Sequence, residues 1–196
     1  VLPVLLVLAS AGSAAEPDWN QFRGGRGDGS STAKGIPTTW SERQNVAWKT
    51  AIWGKGWSSP VVWKDRIWLT TATVDGHRLV VICLDRKTGR ILYDKTVFKP
   101  VKPQYSDPFN SYASSTAWVE EGRVYVHFGS HGTACLDTRT CDVIWQRDDL
   151  PCNHFRGPAS SVSIYGDLMF LPFDGSDVQY VVALDKRTGQ TLWRTD

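Results

Sequence analysis

Short apolar runs alternate with polar turns along most of the chain. Val61-Val62-Trp63, Ile67-Trp68-Leu69 and Val80-Val81-Ile82-Cys83-Leu84 are too short for helices, rich in β-branched and aromatic residues, and separated by Gly, Asp and charged residues. The pattern predicts strands and tight turns throughout. It also repeats. Leu84-Asp85-Arg86-Lys87-Thr88-Gly89-Arg90-Ile91-Leu92-Tyr93 superposes on Leu136-Asp137-Thr138-Arg139-Thr140-Cys141-Asp142-Val143-Ile144-Trp145 and on Leu184-Asp185-Lys186-Arg187-Thr188-Gly189-Gln190-Thr191-Leu192-Trp193, at spacings of 52 and 48 residues. Such a period marks a repeat architecture rather than an ordinary domain.

Each string reads as strand, turn, strand. Asp85, Asp137 and Asp185, with Thr88, Thr140 and Thr188, can hydrogen-bond the turn backbone, and Gly89 and Gly189 supply the positive φ that a tight turn requires. Cys141 replaces that glycine in the second copy, so the turn there is either strained or of another type. Tyr93, Trp145 and Trp193 lie in the following strand, where each can bury a large face against a neighbouring sheet. Upstream, Ser58-Ser59-Pro60-Val61-Val62-Trp63 matches Ser114-Ser115-Thr116-Ala117-Trp118-Val119, with Lys64-Asp65 against a longer Glu120-Glu121-Gly122, and both match Ser160-Ser161-Val162-Ser163-Ile164-Tyr165.

Each repeat is therefore four short strands beginning at the Ser pair, and four-stranded antiparallel units repeated radially make an all-β propeller. Residues 45–196 supply about three blades, preceded by Asn45-Val46-Ala47-Trp48-Lys49-Thr50, which reads as a lone closing strand with Trp48 in the aromatic place. Propellers close with roughly four to eight blades, so the stretch reads as the N-terminal part of a longer, incomplete ring.

The apolar run from Leu2 to Ala11, followed by small residues, is too short to span a membrane and has the form of a secretory signal over 1–15, its basic start missing. Residues 16–44 form a lead-in. An exported chain implies a periplasmic or extracellular address. The formal charge of +2, spread without like-charge blocks, excludes the basic stripe of a nucleic-acid binder. An Arg-Gly-Asp triplet at 26–28 sits in a Gly-rich loop with nothing to frame it for adhesion. Cys83 and Cys135 precede the Leu-Asp pair where the third copy has Ala183, and read as small buried residues. A Cys141–Cys152 bridge stays open. No metal-ligand spacing occurs among the cysteines and histidines.

The string Leu-Asp-x-x-Thr-Gly-x-x-x-Trp with its Ser-Ser-Pro opening resembles the pyrroloquinoline-quinone-like (PQQ-like) propeller repeat over Asn45 to Asp196. Asp18-Trp19-Asn20-Gln21-Phe22-Arg23-Gly24 is similar to the start of exported bacterial proteins of that group. The resemblance implies an eight-bladed exported propeller. It does not imply quinone binding, since relatives include both quinoprotein dehydrogenases and non-catalytic assembly or scaffold propellers, and fold and function are argued separately.

The loops before the first strand of each blade share one face with the loops between second and third strands. Candidate binding residues there are Trp57, Asn110, Ser111, Tyr112, His154, Phe155 and Arg156, with His77, His131, Asp174 and Asp177. They suit a protein partner or a polar or carbohydrate ligand. Trp57, Tyr112 and Phe155 hold equivalent places in three blades, which favours repeat packing for them. His131 and His154 lack a partner at catalytic spacing and read as surface loop histidines. No catalytic residues are assigned. A dehydrogenase would bring a calcium cage, an Asp base and, in many members, adjacent cysteines beneath the quinone; no Cys-Cys pair occurs, and Asp174-Gly175-Ser176-Asp177 reads more readily as a solvated turn than as a cation loop. The sequence thus favours a non-catalytic scaffold or ligand-binding module without cofactor. The alternative is a PQQ- and calcium-dependent alcohol or sugar dehydrogenase.

Overall fold

The computed structural model describes residues 18–196, and the expected signal sequence lies outside them. Twelve strands form three four-stranded antiparallel sheets in chain order. The first blade is β1 (Val61–Trp63), β2 (Arg66–Ala72), β3 (Leu79–Asp85) and β4 (Ile91–Phe98). The second is β5 (Trp118–Glu120), β6 (Arg123–His127), β7 (Thr133–Asp137) and β8 (Val143–Arg147). The third is β9 (Ser163–Tyr165), β10 (Leu168–Asp174), β11 (Gln179–Asp185) and β12 (Thr191–Thr195). These are propeller blades. Among the described residues no helix is long and apolar enough to cross a membrane.

The sheets stack face to face, and their contact layers are the core. Val81 and Cys83 of β3 join Val124, Val126 and Leu136 between the first two blades, while Val80, Ile82 and Leu84, on the opposite face of β3, pack with Trp48, Ile52 and Trp53. Tyr125 and Cys135 join Met169, Leu171 and Phe173 between the second and third. Covered on both faces, β3 is an unbroken apolar run.

The small residue before Leu-Asp has a geometric cause. Cys83 lies between Trp68 and Tyr93 in the strand register, Cys135 between Tyr125 and Trp145, and Ala183 between Phe170 and Trp193. The two rings of each blade meet over that small side chain at centroid distances of 6.4, 6.4 and 5.9 Å. A β-bulge beside Leu92, Ile144 and Leu192 recurs in all three blades and aims the outer aromatic past its own sheet.

That aromatic docks on the Asp turn of the next blade. Trp48 Nε1 donates to Arg86 O and Trp145 Nε1 to Lys186 O, both at 3.0 Å, and Tyr93 Oη donates to Arg139 O. The residue two places on adds a second tie: Thr50 Oγ1 donates to Gly89 O, Lys95 pairs with Asp142, and Arg147 donates to Gly189 O. The turn is held by its own Asp, since Asp85 Oδ1 accepts the Thr88 N–H, Asp137 Oδ1 the Thr140 N–H and Asp185 Oδ1 the Thr188 N–H. The Thr88 hydroxyl and N–H at Asp85, the Arg139 and Thr140 N–H groups at Asp137 and the Thr188 N–H at Asp185 hold all three carboxyls below the usual carboxylate range.

The structure corrects two expectations and decides a third. First, Asn45–Thr50 forms no strand, although Trp48 keeps its docking role without a ladder. Second, the Ser pairs precede the first strands, and the repeat aligns without the extra residue: Val61, Trp118 and Ser163 each open a blade, making Ser59, Thr116 and Ser161 equivalent. Their hydroxyls join neighbouring blades, because the Ser59 N–H donates to Thr116 Oγ1 and the Thr116 N–H to Ser161 Oγ, both at 3.0 Å. Third, Cys141 keeps the common turn at φ 61°, alongside 72° at Gly89 and 75° at Gly189. All four cysteines are free and buried; Cys141 sits between the first two blades and Cys152 between the second and third, so they are not bridged.

The lead-in is part of the fold. Trp19 O accepts the Val62 N–H at 2.7 Å and Asn20 O the Val119 N–H at 2.8 Å, while Asn20 Nδ2 donates to Val119 O. One short segment thereby caps the free edges of β1 and β5 and joins two blades.

Candidate interaction face

In a blade of four consecutive antiparallel strands, the loops after β2, β4, β6, β8 and β10 emerge at one end. Two of these are long: 99–117 between β4 and β5, and 148–162 between β8 and β9. They would be loose without internal bonding. Asn110 supplies part of it, donating from Nδ2 to Arg156 O and Pro158 O and accepting the Ser111 N–H at Oδ1. Ser111 Oγ donates to Lys55 O, and Lys55 Nζ to Pro108 O. Asp177 Oδ1 accepts the Asn153 and Val178 N–H groups, which hold its carboxyl low.

His131 and His154 are not surface histidines. His154 is buried and His131 half-buried, because the long loops fold over them. His131 Nε2 accepts the Gln104 N–H at 3.1 Å, and His154 Nε2 accepts the Ser130 N–H at 3.0 Å. Gln104 links the two, donating from Nε2 to Cys152 O and accepting the His154 N–H at Oε1, while Tyr112 Oη donates to Gln104 O. A backbone N–H only donates, so each Nε2 carries a lone pair and each neutral ring its proton on Nδ1. Those protons point at Phe128 O and at Cys152 Sγ, 3.8 Å away. Burial holds both imidazoles below their ordinary value and pushes the Cys152 thiol up to about 11.

Cys152, His154 and Asp177 thus resemble a nucleophile, base and orienter in composition but not in chemistry. His154 offers the sulfur a proton rather than a lone pair, and the thiol stays protonated. The carboxylates of this face do not converge as a calcium cage either. Asp107 and Asp177 each engage backbone N–H groups, and Asp174 ends β10 beside the open flank of the third blade. Among the described residues no group of three or more His, Cys, Asp and Glu is placed to hold a metal ion.

The sequence-predicted residues therefore divide. Asn110, Ser111, Tyr112, His131, His154 and Asp177 are scaffold, and His77 ties the 99–117 loop through Pro100 O. Trp57 and Phe155 are not repeat packing like Tyr112; they stand 59% and 69% exposed, and Arg156 lies over the Phe155 ring. Sequence reasoning missed Gln104, the central joint, and two further exposed rings, Tyr105 at 66% and Phe109 at 90%. The repeat motif does not flag them, because it stops short of the 99–117 loop, which is longer than its counterpart 148–162. The face thus presents Trp57, Tyr105, Phe109 and Phe155 to solvent on loops braced by Asn110, Ser111, Gln104 and Asp177. A cavity of about 250 Å³ opens on the same face, lined by Lys55, Val74, Asp107, Pro108, Tyr112 and Ser106, whose buried hydroxyl has no hydrogen-bond partner among the described residues.

The family profile described as outer membrane protein assembly factor BamB, of the PQQ-like repeat type, matches residues 38–196. The chain belongs to this BamB-type propeller family. Solved structures with the same fold include quinohemoprotein alcohol dehydrogenase ADHIIG of Pseudomonas putida HK5, at TM-score 0.54 and 19% identity over 75% of this chain and 21% of that one. A europium-containing methanol dehydrogenase matches at TM-score 0.52 and 16% identity, over 73% of this chain and 26% of that one. The quinohemoprotein alcohol dehydrogenase of Comamonas testosteroni matches at 0.52 and 18%, over 72% and 21%. The BamB-type chain thus spans about a fifth to a quarter of these structures, and the likeness is one of fold. No curated protein matches the sequence significantly.

Proposed function

We propose that this BamB-type propeller is an exported, non-catalytic scaffold that docks a protein partner on its loop face. The observation that carries this reading is the exposed set Trp57, Tyr105, Phe109 and Phe155, with Arg156, on loops held by bonds of Asn110, Ser111, Gln104 and Asp177. Aromatic and arginine side chains held on a rigid support are the usual anchors of protein interfaces. A carbohydrate site would need polar groups free to meet hydroxyls beside its aromatic platform, and Asn110, Ser111 and Asp177 are already engaged. The family's description as an assembly factor agrees with protein docking.

This role needs neither quinone nor calcium. The full-length protein supplied with pyrroloquinoline quinone and calcium is expected to show no dye-linked oxidation of alcohols or aldoses and no shift of the quinone spectrum. Turnover under those conditions would overturn the non-catalytic reading.

A further inference from the structure

We propose that the loop face carries an acid-operated latch: protonation of His131 and His154 releases the two loops that hold its exposed aromatics. The latch gains its biological role from the docking reading above, but its chemistry stands on the loop geometry alone.

The geometry is that of two imidazoles used as acceptors. In the closed face each Nε2 receives a backbone N–H, from Gln104 and from Ser130. A proton added at either Nε2 would set N–H against N–H, and a buried backbone donor would lose its partner. Both bonds bear on one joint. Gln104 is held at its backbone by His131, and its side chain holds Cys152 O and the His154 N–H. Losing it loosens 99–117, which carries Tyr105 and Phe109, from 148–162, which carries Phe155, and leaves the outer tie of Asn110 and the Asp107 N–H to Arg156 O and Pro158 O.

The surroundings set the direction. His131 meets the edge of Tyr112 and the carbonyl of Phe128, and shares a cavity of about 270 Å³ with Lys99 and Asp148. His154 meets the Cys152 thiol, stacks on Phe173 and lies near Asp177; His127 packs on the same Phe173 ring, and Asp174 lies near Cys152. Asp177 favours a charged His154, while burial and the neighbouring His131 oppose it more strongly, and both rings are held below the ordinary 6.5. A ring in an opened loop regains that ordinary value. The closed state is therefore fully favoured above it and loses its advantage progressively as pH falls below it.

Amide hydrogen exchange on the full-length protein tests the latch. Between about pH 7.5 and about pH 4.5, corrected for intrinsic rates, protection in peptides from 99–117 and 148–162 is expected to fall by about tenfold or more. Peptides from β3 and β7 should keep theirs. His131→Gln and His154→Gln, whose amide oxygen still accepts an N–H but does not titrate, should each reduce the pH dependence, and the double variant should abolish it. Loop protection that does not change with pH, or the same loss in the glutamine variants, would overturn the proposal. Exchange needs no partner, so its failure leaves the docking reading standing and the reverse also holds.

Discussion

The docking aromatic and the turn beneath it are matched residue by residue. A Cβ on Gly89 would stand 2.4 Å from the Trp48 ring, and one on Gly189 would stand 2.6 Å from that of Trp145. The one turn that carries a side chain, Cys141, is the one met by the smaller ring of Tyr93. Tyrosine makes room for the thiol, and the buried thiol fills the space an indole would take. Cys141 is then held at positive φ at a cost of about 1 kcal/mol, partly offset by its burial. Cys141→Gly should accordingly change stability by no more than about 1 kcal/mol in urea unfolding of the full-length protein. Gly89→Ala, in the same turn but under an indole, should cost about 2–4 kcal/mol. Tyr93→Trp should cost about 1–3 kcal/mol alone and markedly less with Cys141→Gly, because contacting residues do not act additively. Equal costs at the two turns would show that ring size and turn residue are independent.

At the scale of elements, the blades were legible because their signals are local and recur. Asp85, Asp137 and Asp185 each mark a turn, and the residues on either side alternate with the strand period. The bulges beside Leu92, Ile144 and Leu192 were not legible, since the spacing from Gly89 to Tyr93 fits a bulged strand as well as a regular one. Neither was the lead-in, whose bonds to Val62 and Val119 join residues remote in sequence and form only once two blades stand side by side. His131 and His154 were misread for the same reason: their burial is created by loops outside the repeat. The lead-in makes a prediction of its own. Gly24 has φ +76°, and a Cβ there would lie 2.6 Å from the Trp19 ring that anchors the segment. Gly24→Ala should undock Trp19 and Asn20, seen as faster proteolysis within 25–45 at an unchanged cleavage rate in the blades. Unchanged cleavage throughout would mean that the anchor tolerates the shift.

Across the whole molecule the two ends of the blades differ in kind. The end with the β1–β2 and β3–β4 hairpins is made of short polar turns tied to one another, as Arg86 is to Asp65 O and Lys186 to Asp167 O. The opposite end carries the long loops, the buried histidines and the exposed rings of Trp57, Tyr105, Phe109 and Phe155. Under the docking proposal the loop end, where Trp57, Tyr105, Phe109 and Phe155 stand exposed together on bonded loops, is the end presented to a partner, while the hairpin end exposes Tyr165 alone among the rings of its blade hairpins. The direct test is site-specific photo-crosslinking in living cells, with the crosslinker placed in the full-length protein at Phe109 and Phe155 on the loop end and at Asp65 and Glu121 on the hairpin end. One discrete protein adduct from both loop positions and none from the hairpin positions is the predicted result; adducts from the hairpin end instead, or none from the loop end, would contradict the account.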